Sequence, residues 1–386
     1  MIGLSILGAT GSIGRQALDV CSWRPELRVQ ALTAGQDWRS LAELAQAYRP
    51  EMVAIGDPEA YGPLRTALSG LAIRVEAGLE GLLSAATWPS ADMVLAAISG
   101  MAGLPPLLAA IDSGKEIALA NKEALVAGGA LVMERAKRRG VPIAPVDSEH
   151  SALWQCLAGE DPENVAQLIL TASGGAFRDK STAELEQVTA AQALQHPNWR
   201  MGEKITIDCA TMVNKGLEVI EAHWLFGIPY ERIQVLVHRE SIIHSMVAFR
   251  DGSVKAQLAQ ADMRLPIQYA LLGRKRPQTP VKPPNLAELG QLHFSPADDQ
   301  RFPGLAAMIR AGEKGGTAPA YLNGANEVLN AAFRQSKISF PTLGRILTQL
   351  SAAYLPVSAD TEAAIYKADS QGRNDGEQAV IQSGNG

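Results

Sequence analysis

The sequence reads as an α/β protein with three parts: an N-terminal doubly wound parallel sheet, a central α+β domain and a C-terminal helical domain. Three observations predict this. Up to about Pro145, short apolar runs alternate with amphipathic helical stretches, the signature of βαβ units. Past Ser148 strand-like runs crowd together with fewer helices between them, and from Gly304 to Tyr354 the apolar period is helical and Ala and Leu abound.

In order along the chain, the first-half strands are expected at 2–7, 29–33, 52–55, 93–98, 116–120 and 141–145, with helices at 15–22, 38–48 and 122–139. The second half offers strand-like runs at 166–171, 204–207, 233–237, 245–249 and 254–258. Between them, residues 173–202 combine Gly174-Gly175 with His196-Pro197-Asn198-Trp199-Arg200-Met201-Gly202, a segment suited to act as a lid. Four prolines and several basic residues within 274–284 mark a linker. The expected domains are therefore 1–147, 148–273 with the lid at 173–202, a linker at 274–297, and 298–370, followed by a polar tail at 371–386 expected to be disordered.

Composition narrows the function classes. A net charge of −5 on 386 residues argues against nucleic acid or an acidic membrane surface as the main partner. Cys21, Cys156 and Cys209 lie far apart and odd in number, so they form neither a disulfide framework nor a CxxC metal site. The expectation is a soluble cytoplasmic protein without a targeting or membrane segment.

The first run leads into Gly8-Ala9-Thr10-Gly11-Ser12-Ile13-Gly14 and then a helix. Glycines there let the backbone turn tightly and approach a pyrophosphate, whose charge is favoured at the helix start. The spacing is G-x-x-G-x-x-G, so its placement after the first strand of a βαβ array is what points to a dinucleotide. After the second run comes Gly35-Gln36-Asp37-Trp38-Arg39, where Asp37 serves equally as a helix N-cap and Arg39 as a phosphate partner. These residues leave NAD or NADP open.

Asp147 and Glu149 flank Ser148 where the 141–145 run ends. In an extended segment such i, i+2 carboxylates reach into one space, at the strand end where open α/β sheets bind ligands. Two carboxylates make a thin cage for a divalent ion, and Glu218, four residues beyond Asn214 and three beyond Lys215, is the candidate third. Spacing alone equally allows Lys215 and Glu218 to be a solvated helix pair. Asn121-Lys122-Glu123 follows the 116–120 run and lies at the same sheet edge. In the lid, His196 can donate to a phosphate and Trp199 can close over a substrate, while His150 and His244 read as buried, hydrogen-bonded histidines. Besides a metal-dependent enzyme, the pattern admits a metal-free NAD(P)-dependent dehydrogenase or a nucleotide-sensing module without catalysis.

Taken together, the glycine turn, Ala118-Leu119-Ala120-Asn121-Lys122-Glu123, Pro145-Val146-Asp147-Ser148-Glu149-His150, Ala172-Ser173-Gly174-Gly175-Ala176-Phe177-Arg178, the lid motif, Ala210-Thr211-Met212-Val213-Asn214-Lys215-Gly216-Leu217-Glu218, Ser241-Ile242-Ile243-His244-Ser245-Met246-Val247 and Gly315-Gly316-Thr317-Ala318-Pro319 resemble the 1-deoxy-D-xylulose 5-phosphate reductoisomerases, in family order. The resemblance implies an NADPH-dependent homodimeric enzyme of the non-mevalonate isoprenoid pathway that requires Mg²⁺ or Mn²⁺. It implies metal ligation by Asp147, Glu149 and Glu218, with Lys122 beside them. It implies substrate contacts from Ser148, Ser173, His196, Cys209, Asn214 and Lys215, closure by Trp199 and Met201, and a cofactor site lined by Thr10, Gly11, Ser12, Ile13, Gly35, Gln36, Asp37, Asn121, Glu123 and Gly202. The chain departs from the family pattern at Cys209, usually serine, at Asp37, usually asparagine, and at Gln260-Ala261, usually Gly-x-Pro. A thiol is a weak donor to phosphate.

Overall fold

The structure is a computed structural model that describes residues 1–199 and 201–384. Arg200 of the expected lid and the last two residues of the expected tail lie outside the described residues. The chain forms two compact units, one from Met1–Leu125, Val132–Ser151 and Asp262–Pro280, the other from Val126–Leu131, Ala152–Ala261 and residues from Val281 onward.

The first unit holds a seven-stranded sheet built from β1 (Ile2–Leu7), β2 (Leu27–Ala34), β3 (Met52–Ile55), β4 (Arg74–Ala77), β5 (Met93–Ala96), β6 (Glu116–Leu119) and β7 (Ile143–Pro145), in the order β4-β3-β2-β1-β5-β6-β7. Every neighbouring pair is parallel. Buried on both faces, the inner strands are mostly apolar: Leu4, Ile6, Leu32, Val53, Ile55 and Leu95 are completely inaccessible. Strand order reverses between β1 and β5, the switch point beyond whose carboxyl ends open sheets of this kind bind ligands. β4 escapes a reading based on apolar runs because Arg-Val-Glu-Ala is half polar, as befits a charged edge strand. The helix Arg264–Leu271 packs on the helix Ser12–Ser22, and its Ile267, Ala270 and Leu271 join this core. Residues 262–280, expected to close the central domain and open the linker, thus belong to the first unit.

In the second unit β8 (Val165–Ala172), β9 (Ile233–His238), β10 (Ile243–Phe249), β11 (Val254–Leu258) and β12 (Phe294–Pro296) form a mixed sheet in the order β11-β10-β8-β9-β12. Only the central β8–β9 pair is parallel. β12 comes from the expected linker and covers β9 through an antiparallel pairing. Leu168, Leu170 and Val247 of the sheet share a core with Val219 and Ala222 of the helix Val213–Phe226.

Residues 204–207 read as a strand because Lys-Ile-Thr-Ile alternates polar and β-branched residues, but they lie in the helix Glu203–Ala210. Tertiary bonds override the local pattern. Asp208, on that helix, is buried and accepts from the side-chain amides of Asn326 and Asn330 at 3.0 and 2.8 Å, with the Lys204 ammonium 3.0 Å away. Helices Pro303–Lys314, Ala318–Arg334 and Phe340–Ala353 follow, as the helical period of 304–354 predicts.

The tail is also ordered where disorder was expected, since a last helix runs Glu362–Gly384 against Ala318–Arg334. Its polar composition conceals how it is held. Gly372 brings its backbone onto the Tyr321 carbonyl, Gly324 answers from the partner helix against Asp369, and the Tyr321 hydroxyl donates to Asp375 at 2.8 Å. Small residues at both sides let the two helix backbones approach. Among the described residues no helix is long and apolar enough to cross a membrane. A Cβ at Gly372 would overlap the Tyr321 carbonyl, so Gly372→Ala is expected to cost roughly 1–3 kcal/mol and to raise hydrogen exchange through 362–384. Unchanged exchange there would show that this close approach is not what orders the tail.

Candidate active site

At the carboxyl end of β1, Gly8 takes a left-handed φ of 89°, and a Cβ there would stand 2.5 Å from the Ala97 carbonyl. Gly14 lies equally close to Ala9, with only 2.6 Å between a Cβ and the Ala9 Cα. The turn therefore needs glycine at both positions. Gly11 caps the helix Ser12–Ser22 with extended backbone and no side-chain bond, which leaves the first-turn amides, around exposed Gly11 and Ser12 and half-buried Thr10 and Ile13, to an anion. After β2, Gly35, Gln36 and Asp37 are exposed, and Asp37 caps the helix Trp38–Tyr48 by accepting from the Ser40 amide at 3.0 Å.

Asn121 follows β6, caps the helix Lys122–Arg139 and is buried. Its Oδ1 accepts from the Ala124 amide at 3.0 Å and its Nδ2 donates to the carbonyls of Ile98 and Gly100, the latter at 2.9 Å. The side chain thus ties the loop after β5 to the start of the helix Lys122–Arg139, whose first turn also holds half-buried Glu123. Lys122 points to the next strand end, its Nζ 2.6 Å from Asp147 Oδ2, with both side chains about nine-tenths buried. His150 Nδ1 lies 3.2 Å from Asp147 Oδ1. Burial alone would raise the Asp147 carboxyl, but the Lys122 ammonium and the His150 ring outweigh it and hold the group well below the usual carboxylate range.

Asp147 and Glu149 do not share an extended strand. β7 stops at Pro145 and a helix begins at Ser148, so Glu149 sits in a first helical turn, its amide donating to Asp147 Oδ1 at 3.2 Å and its carboxylate accepting from the Ser148 hydroxyl. An N-cap geometry replaces the i, i+2 pleat and still turns both acids to one end of the sheet.

The second unit carries the other group of residues. On the first turn of Val213–Phe226, Asn214 Nδ2 and Lys215 Nζ both donate to the Glu218 carboxylate, and all three side chains are buried. The solvated-pair reading is thereby excluded. Met212, just before this helix, holds a left-handed φ of 61°, a conformation non-glycine residues rarely keep unless packing enforces it. It turns the chain sharply between Glu203–Ala210, which bears half-buried Cys209, and the helix of Asn214. Gly175, at φ 70°, lies where a Cβ would meet the Cys209 carbonyl at 2.5 Å, so the Gly-Gly loop is seated against that helix end.

The structure brings Ser173 and His196 together, Oγ to Nε2 at 2.8 Å. His196 Nδ1 accepts from the amides of Trp199 at 2.9 Å and Asn198 at 3.2 Å, so the ring proton must sit on Nε2 and be donated to Ser173. The Gly175 amide also donates to Ser173 Oγ, at 3.2 Å. With two donors on its oxygen, the serine hydroxyl has its own hydrogen to offer. The Trp199 ring lies 6.0 Å from that of His244, Met201 is half-buried, and exposed Gly202 caps Glu203–Ala210. Two residues that the sequence does not single out also join these turns: Arg178 donates to the Ser173 carbonyl at 2.9 Å, and Arg15 to the Thr10 carbonyl at 3.0 Å. Both stand next to glycine-rich turns, the one local signal that marked them.

A doubly wound sheet with a glycine turn at its switch point, in a chain whose other unit carries a buried amide, ammonium and carboxylate at the start of one helix, belongs to a dinucleotide-dependent oxidoreductase. Family models for 1-deoxy-D-xylulose 5-phosphate reductoisomerase match residues 4–129, and models for the reductoisomerase C-terminal domains match 143–226 and 258–375. The chain is 54% identical over 357 residues to the 1-deoxy-D-xylulose 5-phosphate reductoisomerase of Geobacillus kaustophilus, covering 92% of this chain and 93% of the relative, and 52% identical over 374 residues to that of Heliobacterium modesticaldum, covering 96% and 95%. The solved reductoisomerase from Zymomonas mobilis in complex with NADPH superposes with a TM-score of 0.93 at 41% identity, over 98% of this chain and 99% of that one. A reductoisomerase in complex with NADPH, fosmidomycin and magnesium superposes with a TM-score of 0.94 at 38% identity, over 99% and 98%. The chain belongs to the 1-deoxy-D-xylulose 5-phosphate reductoisomerase family.

Burial, reinforced by the Arg178 charge, pushes the His196 ring down to about 4. Because its folded value lies below that of a free imidazole, the neutral ring's contribution to stability is complete above about pH 6.5 and is lost as the pH falls through 4. Among the six histidines, the imidazole signals of His196 are expected to titrate in NMR with a midpoint near 4. A midpoint near 6.5 would mean that the ring is not held against Ser173 in solution.

Proposed function

We propose that this chain converts 1-deoxy-D-xylulose 5-phosphate to 2-C-methyl-D-erythritol 4-phosphate in the non-mevalonate route to isoprenoids, using NADPH and Mg²⁺ or Mn²⁺. One carbon–carbon bond of the ketose phosphate breaks and another forms to give a branched aldehyde, which a hydride and a proton then reduce to the alcohol. Bound NADPH supplies the hydride, and a bound divalent ion neutralises negative charge developing on substrate oxygens. The reading is carried by the family relationship together with two ion-paired carboxylates, nearly buried Asp147 and buried Glu218, at positions for which the resemblance implies metal ligands.

Asp147, Glu149 and Glu218 are the oxygen donors for that ion. Carboxylates suit a hard divalent cation, and Lys122 keeps Asp147 ionised and ready to ligate. The phosphate is held by the Ser173 hydroxyl, by neutral His196, and by Asn214 and Lys215, while Ser148 orients the substrate's oxygens. Cys209 adds little, because its thiol is a weak donor. Trp199 and Met201 cover the substrate and exclude water from the rearranging intermediate, so that phosphate binding energy is used to order the lid. Thr10, Gly11, Ser12, Ile13, Gly35, Gln36 and Asp37 line the cofactor, with Gly202 and Glu123 nearby and Asn121 fixing the loops around it.

The division of labour is nucleotide binding in 1–147, catalysis and dimerisation in 148–273, and support from the helices of 298–370. The protein works as a homodimer in the cytoplasm. Replacing Asp147 by Asn or Glu218 by Gln is expected to lower kcat by about 10²-fold or more, the scale of losing one preorganised electrostatic group. Circular dichroism should remain that of the parent. Near-parental kcat in either variant would remove that carboxylate from the reaction.

A further inference from the structure

The segment after β2 decides which dinucleotide a doubly wound sheet accepts, because an acid there bonds the ribose 2′-hydroxyl of NAD and repels the 2′-phosphate of NADPH. This chain places Asp37 in that segment, which on charge alone would disfavour NADPH. The carboxylate is nevertheless committed elsewhere. Asp37 Oδ1 takes the Ser40 amide at 3.0 Å as the N-cap of Trp38–Tyr48. Its carboxyl is held below the usual carboxylate range by the Ser40 side chain and amide, and then by the charges of Arg15 and Arg39, which keeps it ionised.

Arg15 reaches across from the first turn of Ser12–Ser22. Its Nε donates to the Thr10 carbonyl at 3.0 Å and its Nη2 to Ser40 Oγ at 2.9 Å. The guanidinium is thereby fixed between the glycine turn and the cap of the next helix, on an exposed side chain whose other N–H groups remain for a ligand. Arg39, also exposed, lies over the Trp38 ring at 4.7 Å. Two cations against one capped carboxylate leave a net positive charge beside the start of an eleven-residue helix, and its dipole adds to it.

Resting on the reading that NADPH is the cofactor, we propose that Arg15, supported by Arg39, binds the 2′-phosphate and is the residue by which this chain selects NADPH over NADH. The planar fork of Arg15 suits a phosphate in two-point contact, and its two backbone and hydroxyl anchors hold it in place before the cofactor arrives. Asp37 is tolerated because its charge is consumed within the Arg15–Ser40–Asp37 chain of bonds.

The test is a set of equilibrium titrations of the full chain, without substrate, using NADPH, NADH and 2′,5′-ADP. Arg15→Gln is expected to weaken NADPH and 2′,5′-ADP by about tenfold or more, and to change NADH by less than about twofold, since NADH never meets the guanidinium through a phosphate. Arg39→Gln should give a smaller loss with the same pattern, and Arg15→Lys an intermediate one, because an ammonium keeps the charge but not the fork. Equal weakening of NADPH and NADH by Arg15→Gln would overturn the proposal, showing that Arg15 only supports the turn through Thr10. Unaltered NADPH affinity would overturn it as well. A parent protein that binds NADH as tightly as NADPH would instead defeat the cofactor reading itself, so the two failures are distinguishable.

Discussion

The ion pair between Lys122 and Asp147 is the constraint on which the first unit's chemistry depends. Two charged side chains, each about nine-tenths buried, meet at 2.6 Å beyond the ends of the adjacent parallel strands β6 and β7. Desolvating either one alone costs several kcal/mol, so each requires the other to remain where it is. The pairing exists only because β6 and β7 run parallel and end side by side. Parallel order thus delivers an ionised carboxylate to the rim of the sheet.

The second unit reaches a similar result by different means. Asn214, Lys215 and Glu218 lie on one helical turn and satisfy one another in the interior, and the left-handed Met212 sets the direction from which that turn starts. Ser173 and His196 are joined through a ring whose proton is placed by backbone donors from its own loop. In both units buried polar groups hold one another in place through ion pairs and hydrogen bonds.

Much of this was legible in the chain, for identifiable reasons. β1, β3 and β11 and the helices Trp38–Tyr48 and Lys122–Arg139 have the limits expected from their apolar patterns, because propensity, period and capping residues agree there. The failures fall where distant contacts decide. Residues 204–207 alternate like a strand, yet Asn326 and Asn330 hold Asp208 in a helix from more than 110 residues away. The last helix has the composition of a disordered tail and is ordered by glycine contacts that no local pattern encodes. The residues of the site were visible as motifs, whereas the N-cap geometry of Asp147 and Glu149 and the anchoring of Arg15 required coordinates. Arg15 is four residues from Gly11 and twenty-five from Ser40, a separation across which spacing carries no signal.

Coupling of skeletal rearrangement to reduction by one enzyme is followed by incubating the protein with ¹³C-labelled 1-deoxy-D-xylulose 5-phosphate, NADPH and Mg²⁺ while recording carbon NMR spectra. Signals of the branched 2-C-methyl-D-erythritol 4-phosphate are expected, with one NADPH consumed per product formed and neither change in the presence of excess chelator. A straight-chain reduction product, or turnover that persists with the metal removed, would contradict it.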